Sequence, residues 1–283
     1  MSRRIFFLFS IIFFALFFSF QAFALDKPFD HSTWDQFLKQ FVNEKGEVNY
    51  RAVHQDSKLL NEYFSQLEKI DGIDFENWPR EEKLALWINA YNAGVIKAIA
   101  QAYPIKSIQQ IPGIWDQQFI RVGLLSYSLN GIHHRQLIGV FHDEKIHAAL
   151  ACGGKSCPRL IGEAYTGPRV EGQLFVAVKR FISDPEFNKI KTGDSKVWLS
   201  KIFKWYGSDF KLDFGADEND RGITGEEYAV LSFFNHYLED AEKIQYLQEA
   251  RYKIKYLPFD WDLNDWHGPE KSVTSTLPVL NKK

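Results

Sequence analysis

Both cysteines of this 283-residue sequence lie in one short glycine-rich stretch. Cys152 and Cys157 are a few residues apart, and His147 precedes them in the same stretch. A thiolate is a strong nucleophile, and an adjacent imidazole can generate it by removing the thiol proton. Pro158 is favoured at the first position of a helix, where the helix dipole would lower the pKa of the Cys157 thiol. These residue types predict a thiol-dependent hydrolase or acyltransferase, with Cys157 as first and Cys152 as second candidate nucleophile.

The candidate base is a histidine. Residues 145–152 have the apolar composition of a buried strand. On a continuous strand Cys152 and His147 would point to opposite faces, because successive side chains alternate. A His147–Cys157 pair, with the chain folding back through the glycines, is therefore easier to build. His134, from elsewhere in the chain, is the other candidate base.

Further polar groups could complete such a site. Backbone amides in the glycine turn can stabilise an oxyanion, and an amide or carboxylate can orient the base. Two asparagines lie on a largely apolar helical stretch and need hydrogen-bond partners if buried, which they could equally find on neighbouring backbone. The candidate orienting and substrate-binding residues are Asn89, Asn92, Gly153, Gly154, Ser156 and Asp260.

Two other functions compete with the thiol enzyme. Two cysteines separated by a short turn in an exported chain most simply form a disulfide. The protein would then be a non-catalytic binding module of the cell envelope, with the disulfide bracing a pocket lined by Asn92, Trp115 and Trp261. The third alternative is a redox or metal-handling protein. The histidines of this sequence match no zinc-ligand spacing. No metal and no cofactor are predicted.

The N-terminus indicates export. Arg3 and Arg4 precede a strongly apolar run that ends in Gln21-Ala22-Phe23-Ala24, the pattern of a signal peptide cleaved after residue 24. An uncleaved anchor helix is the alternative, since the run almost reaches the length of a membrane span. We expect a periplasmic or secreted protein with no stable membrane span after cleavage.

Composition limits the partners. The chain carries 34 Lys and Arg against 36 Asp and Glu, a formal net charge of −2. Without a net basic charge, nucleic acid is not an expected partner. A small molecule, a peptide or a glycan remains the expected ligand.

The elements that would position these residues indicate an α+β fold. Helical spacing predicts early helices, the clearest beginning after Pro79 and continuing to about residue 100. A hairpin is predicted around Gly123, and a short helix after Asn130 carries His133 and His134, of which at most one can face inward. Further predictions are a strand at 47–50, a helix over 170–182, a strand at 196–199, a capped helix from Thr224 to Tyr237 and a strand at 253–257. We expect one domain over residues 25–283, with N-terminal helices and a central antiparallel or mixed sheet.

Several of these motifs, in this order, resemble one known family. They are LWINAYN at 86–92, IHH at 132–134, HAALACG at 147–153 and SCP at 156–158. The sequence resembles the domain-of-unknown-function 547 family, with a core at about 82–182 and further motifs up to residue 264. The resemblance implies no specific activity. The family pattern has an acidic residue before the histidine matching His134 and an arginine shortly after it, where this chain has His133 and Ile138.

Overall fold

The structure is a computed structural model in which residues 29–215, 222–249 and 252–267 are described. The predicted signal peptide, residues 1–24, lies outside the described residues. The α-helices are Ser32–Phe41 (α1), Tyr50–Gln55 (α2), Lys58–Leu67 (α3), Gly72–Asn77 (α4), Arg80–Ala102 (α5), Gly139–Phe141 (α6), Val170–Ser183 (α7), Lys201–Trp205 (α8), Lys211–Phe214 (α9), Gly225–Tyr237 (α10) and Ala241–Glu249 (α11). The predicted helices at 170–182 and after Thr224 are confirmed, the latter with its capping box. Within the described residues, no helix combines the length and apolar character needed to cross a bilayer.

The strands are short and form two separate sheets. Strands Ile120–Val122 (β1) and Leu125–Tyr127 (β2) pair antiparallel across the turn at Gly123, as predicted. Strands Lys196–Leu199 (β3) and Lys253–Tyr256 (β4) pair in parallel, with Val197 opposite Ile254. The α+β class is therefore confirmed, but the described strands do not join into one central sheet. Helices, and not a sheet, carry most of the core.

Helix α5 runs through the middle of this core. Pro79 precedes it, and Glu81 and Glu82 in its first turn interact favourably with the helix dipole. From Leu84 to Ile96 every residue is buried, so the helix has no solvent-facing side along this stretch. Such a helix must satisfy its polar side chains internally, and it carries Asn89 and Asn92 in this buried stretch.

Two hydrophobic clusters share the chain. The first contains buried residues of α1, α2, α3, α5 and the β1–β2 hairpin, and the second contains those of β3, α8, α10 and α11. Helix α7 contributes Leu174 to the first cluster and Val178 to the second. The segment after residue 144 does the same, since Ile146 packs in the first cluster and Ala148 in the second. The predicted chemistry-bearing stretch therefore lies at the boundary between the clusters.

The predicted strand over 145–152 is wrong. Glu144–Ala148 forms a 3₁₀ helix, begun by the Asp143 carboxylate, which accepts a hydrogen bond from the Lys145 amide at 2.9 Å. Residues 149–152 belong to no helix or strand, and the Ala149 carbonyl and Ala151 amide bond to the Asn92 side chain where a strand would bond to a neighbouring strand. The argument that placed His147 and Cys152 on opposite strand faces therefore does not apply.

Three other local predictions also differ from the structure. Of the predicted strand at 47–50, only isolated bridges of Val48 are found, and Tyr50 begins α2. The helix after Asn130 is a π-helix, Gly131–Ile138, and the Asn130 side chain donates to Asp116 and does not cap it. No helix begins at Pro158, because residues 158–161 have no regular structure.

Candidate functional site

The two cysteines form a disulfide. The Cα atoms of Cys152 and Cys157 are 5.5 Å apart, and neither thiol is free. Cys157 is buried, and its Sγ accepts a hydrogen bond from the Gly154 amide at 3.0 Å. Since no helix begins at Pro158, the expected cause of a lowered Cys157 pKa is missing. Cys157 is therefore the weaker of the two candidate nucleophiles, which reverses the predicted order.

The glycine turn between the cysteines packs against the interior. Gly153 has φ +83°, and a Cβ there would lie 2.5 Å from the Ile99 Cδ1 atom. The position thus requires glycine for both its conformation and its space. The Gly154 amide already donates to Cys157, and the Gly153 carbonyl accepts from the Asn264 amide at 3.0 Å. The oxyanion role predicted for the Gly154 amide is therefore not supported by the structure.

Ser156 and Asp260 link the turn to a distant segment. The Ser156 amide donates to the Asp260 carbonyl at 3.1 Å, and the Asp260 amide donates to the Ser156 Oγ at 2.9 Å. The Lys155 amide donates to the Asp262 carbonyl at 2.8 Å. Together these bonds fix the position of Trp261, which lies between the two aspartates. The role of Ser156 and Asp260 in this structure is to position that indole.

The two asparagines of α5 also bind backbone. Asn92 donates from Nδ2 to the Ala149 carbonyl at 3.0 Å and accepts at Oδ1 from the Ala151 amide at 2.9 Å. Asn89 makes the same pair of bonds to the carbonyl and amide of Tyr165, at 2.7 and 3.0 Å. Both side chains are buried, and the Asn89 amide nitrogen also contacts the His31 Nδ1 atom at 3.2 Å. The two asparagines hold the chain at residues 149–151 and at Tyr165 against α5, and none of these bonds is to His147.

A cavity of about 360 Å³ lies beside the disulfide, at the boundary between the two hydrophobic clusters. This volume is in the lower part of the range of small-molecule sites, roughly 300–1,000 Å³. The cavity brings together four side chains that the sequence singled out: His147, Cys152, Trp115 and Trp261. The remaining lining residues are Tyr91, Asn130, His133, Leu150, Ile202, Trp205 and Tyr206.

His147 is hydrogen-bonded to a carboxylate at this cavity. Its Nε2 lies 2.9 Å from Oδ2 of Asp209, which is on the 3₁₀ helix Gly207–Phe210. Burial lowers the pKa of His147 and the Asp209 carboxylate opposes this, while the bond to His147 lowers the pKa of Asp209. At neutral pH the imidazole is therefore neutral and the carboxylate ionised. Because the carboxylate can only accept, Nε2 carries the proton and Nδ1 keeps the lone pair of a general base.

Aromatic rings fix the plane of this imidazole. The His147 ring stacks on Tyr206 with centroids 4.4 Å apart and an interplanar angle of 12°. His133 packs edge-on against both rings, at 5.4 Å from His147 and 5.0 Å from Tyr206. His147 therefore has both its hydrogen-bond direction and its ring orientation set by neighbours, as a positioned catalytic base requires.

Of the adjacent His133 and His134, only one imidazole is buried, as predicted. His133 is buried, and His134 is exposed and stacks on it with centroids 4.3 Å apart. Burial, with the neighbouring His147 and His134 imidazoles, lowers the pKa of His133 to about 2. His134 lies at the outer edge of the ring cluster, so His147 is the better-placed base.

Asp209 and Tyr206 were not predicted as site residues. Asp209 is 62 positions from His147, so no local spacing connects the two. One sequence feature could have pointed to them: WY at 205–206 and DF at 209–210 are among the further motifs, up to residue 264, that carry the family resemblance. A motif of this kind does not show which residue its side chains contact, and only the folded structure shows that Asp209 lies beside His147.

A larger cavity of about 640 Å³ lies elsewhere, among Phe29, His31, Glu82 and Arg169. The hydrogen-bond contacts of its imidazole are with neutral groups: the Nδ1 atom of His31 lies 3.1 Å from the Tyr63 hydroxyl and 3.2 Å from the Asn89 amide nitrogen. Burial lowers the pKa of His31 to about 4. We therefore place the chemistry in the smaller cavity, where a base and its acid partner are hydrogen-bonded.

Metal ligation has no geometric support in the described part of the chain. Residues 29–215, 222–249 and 252–267 contain no group of three or more His, Cys, Asp or Glu side chains placed to hold a metal ion. The clustered imidazoles instead contact each other and Tyr206 through their rings.

Comparison with known proteins finds a match to a protein family. Residues 75–182 match the family model described as "Protein of unknown function, DUF547". The resemblance to DUF547 is confirmed. The matched range contains His133, His147 and Cys152, whereas Asp209 and Trp261 lie outside it. The cavity is therefore completed by residues beyond the matched segment. No curated protein and no solved structure matches the chain.

Proposed function

We propose that the cavity beside the disulfide is the active site of an exported thiol-dependent hydrolase or acyltransferase of the cell envelope. Cys152 is its nucleophile, and the Cys152–Cys157 disulfide is the resting form of the enzyme. The proposal rests on one observation: Cys152 and His147 line the same cavity, and His147 is hydrogen-bonded to Asp209 at 2.9 Å. Nucleophile, base and orienting acid then form the arrangement of a cysteine triad.

The first step is reduction of the disulfide by a dithiol. Its two thiols are oxidised to a disulfide, and the Cys152–Cys157 bond takes up two electrons and two protons to give two thiols. Cys157 is buried, and its Sγ accepts a hydrogen bond from the Gly154 amide. We therefore expect Cys157 to remain in the interior. Cys152 is only half-buried and lines the cavity.

The second step is acyl transfer. His147 takes the proton of the Cys152 thiol, and the thiolate attacks the acyl carbon of an ester or amide. His147 then gives that proton to the departing alcohol or amine, which leaves an acyl group on Cys152. Water or an acceptor alcohol, deprotonated by His147, attacks the thioester and releases Cys152 as its thiol. Asp209 stabilises the imidazolium that exists between these proton transfers.

The Cys157→Ser variant tests the proposal, because it leaves Cys152 permanently free. We expect Cys152 in this variant to react rapidly with iodoacetamide below pH 7 and to hydrolyse p-nitrophenyl acetate. Adding Asp209→Asn should slow both reactions at least tenfold and change their pH profiles. Cys152→Ser, which leaves Cys157 free, is the matched control and should show neither reaction.

Two results would contradict the proposal. One is a disulfide in the wild-type protein that resists millimolar dithiothreitol under native conditions. The other is a Cys152 thiol that alkylates at the same rate with and without Asp209. Either result would favour the second candidate, a binding module with a structural disulfide, which is supported by the hydrogen bonds between the disulfide turn and the Trp261 segment.

A further inference from the structure

The cavity has an aromatic wall that the acyl-transfer chemistry does not use. Trp205, at the end of α8, is 42% exposed. Its ring is stacked on that of Trp261 with centroids 6.1 Å apart, and Trp261 lies 6.2 Å from Trp115. Phe259 packs against both Trp205 and Trp261, at 4.7 and 4.5 Å. We call Trp115, Trp205, Phe259 and Trp261 the aromatic wall.

This wall is not part of a closed core. Trp34, for comparison, is only 1% exposed, and it stacks within the first hydrophobic cluster. Trp115, Phe259 and Trp261 are each half-buried. An indole ring that stays in contact with water does not contribute its full hydrophobic free energy to folding. A cluster of exposed apolar side chains marks an interaction site more often than a single one does.

We propose that the aromatic wall binds a pyranose ring of a glycan and so presents the sugar part of the substrate to Cys152. This inference rests on the proposed function and specifies its substrate class. The face of a pyranose with equatorial hydroxyls is a sheet of C–H groups that stacks on an indole, while its hydroxyls need hydrogen-bond partners at the ring edge. The cavity combines both features, since Asn130 and Tyr206 line it together with the three tryptophans.

The charges around the wall favour an uncharged sugar over an anionic ring compound. Asp260 and Asp262 flank Trp261 in the chain, and both are exposed. Lys155 approaches the Asp262 carboxylate at 3.5 Å, and Lys201 lies 5.9 Å from the Trp205 ring centroid. These four charges balance, the Asp209 carboxylate bonded to His147 adds a negative charge at the cavity, and the whole chain is slightly acidic. A nucleotide or another phosphate-bearing ring would gain no net electrostatic attraction here.

The position of the wall is fixed before any ligand binds. Hydrogen bonds from Lys155 and Ser156 hold the residues on both sides of Trp261. A Cβ at Gly154 would lie 3.4 Å from the Trp261 Cα atom, so the turn and the Trp261 backbone are in van der Waals contact. A preformed platform of this kind loses little conformational entropy on binding.

The test is glycan binding to the oxidised wild-type protein by calorimetry and tryptophan fluorescence. The probes are chitotriose, cellotriose and maltotriose, with indole as a flat apolar comparison. We expect at least one trisaccharide to bind, and Trp205→Ala to weaken that binding tenfold or more. Phe175→Ala removes an aromatic side chain that is also exposed, at 45%, but does not line the cavity. This control should bind like the wild type.

Three outcomes would overturn the inference: binding of indole without any trisaccharide, no binding of any probe at 10 mM, or unchanged trisaccharide binding by Trp205→Ala. The oxidised protein has no free thiol, so none of these outcomes depends on the reactivity of Cys152. Failure of the glycan assay with a reactive Cys152 would refute only the substrate class. Glycan binding with an unreactive Cys152 would refute only the thiol chemistry.

Discussion

His133 should make the protein sensitive to mild acid. Its imidazole is 6% exposed, and no partner atom in the described structure bonds to its Nε2. Burial and the neighbouring imidazoles lower its pKa to about 2. The folded protein therefore keeps His133 neutral at pH 5, whereas the unfolded chain protonates this residue below about pH 6.5. Because the unfolded state binds the extra proton, the contribution of His133 to stability falls as the pH decreases from 6.5.

The size of this effect follows from the width of the pH interval. Each pH unit below 6.5 costs about 1.4 kcal/mol for a group that stays neutral in the folded state. At pH 5 the loss from His133 is therefore about 2 kcal/mol, and it is negligible at pH 7.5. The same sign applies to His31, whose pKa is lowered to about 4 by burial, whereas burial raises the pKa of Glu144 to about 7, which gives the opposite sign. Only the difference between the wild type and a His133 variant therefore isolates the His133 share.

His133→Phe removes the His133 share and keeps a ring of similar size. Urea unfolding at pH 7.5 and pH 5.0 measures the loss of unfolding free energy for the wild type and the variant. We expect the variant to lose about 2 kcal/mol less than the wild type between these two pH values. His133→Gln should show the same reduction, although its stability at pH 7.5 will differ. An equal loss in wild type and both variants would refute the assignment of a buried neutral imidazole.

Three further substitutions, one of them with a matched glycine control, test local features of the fold by urea unfolding at pH 7.5. Asn92→Ala leaves a buried backbone amide and a buried carbonyl without partners and should cost about 2–4 kcal/mol; a loss below 1 kcal/mol would contradict the role of this amide. Gly153→Ala should destabilise the protein by more than about 1 kcal/mol, because φ is +83° and the new Cβ would meet Ile99. Gly172→Ala on α7 is the control: its new Cβ would meet no atom within 4 Å, so it should be neutral or stabilise the protein by up to about 1 kcal/mol. Equal effects of these two glycine substitutions would refute the steric argument. Thr224→Ala removes the cap of α10 and should cost about 1 kcal/mol, and no change would show that the capping box contributes nothing.

Predictions from the sequence were right where the cause is local. The first turn of α5 follows from Pro79 with Glu81 and Glu82, and the start of α10 follows from the Thr224 capping box. The hairpin turn at Gly123 has φ +57°, a backbone conformation that favours glycine. Each of these signals acts within a few residues, and each therefore shows in the sequence.

Predictions failed where distant residues decide the local structure. The apolar run at 145–152 looks like a strand, but its backbone bonds go to the Asn92 side chain on α5. Pro158 looks like a helix start, but Ser156 is hydrogen-bonded to Asp260 across more than a hundred residues. The partner of His147 is likewise a residue far along the chain, Asp209. No pattern in one sequence connects such pairs.

The disulfide turn is tied to the aromatic wall, and this connection determines what reduction can change. Reduction breaks one covalent bond, but the turn is also held to residues 260–264 by four hydrogen bonds, from the amides of Lys155, Ser156, Asp260 and Asn264. A disulfide that closes so short a loop contributes only about 2 kcal/mol to the free energy of unfolding. The four hydrogen bonds and the packing of Gly153 remain after reduction. Freeing Cys152 therefore need not displace Trp261, so the reduced protein should keep the glycan affinity of the oxidised one. If dithiothreitol abolished glycan binding, the disulfide and not the hydrogen bonds would be what holds the wall in place.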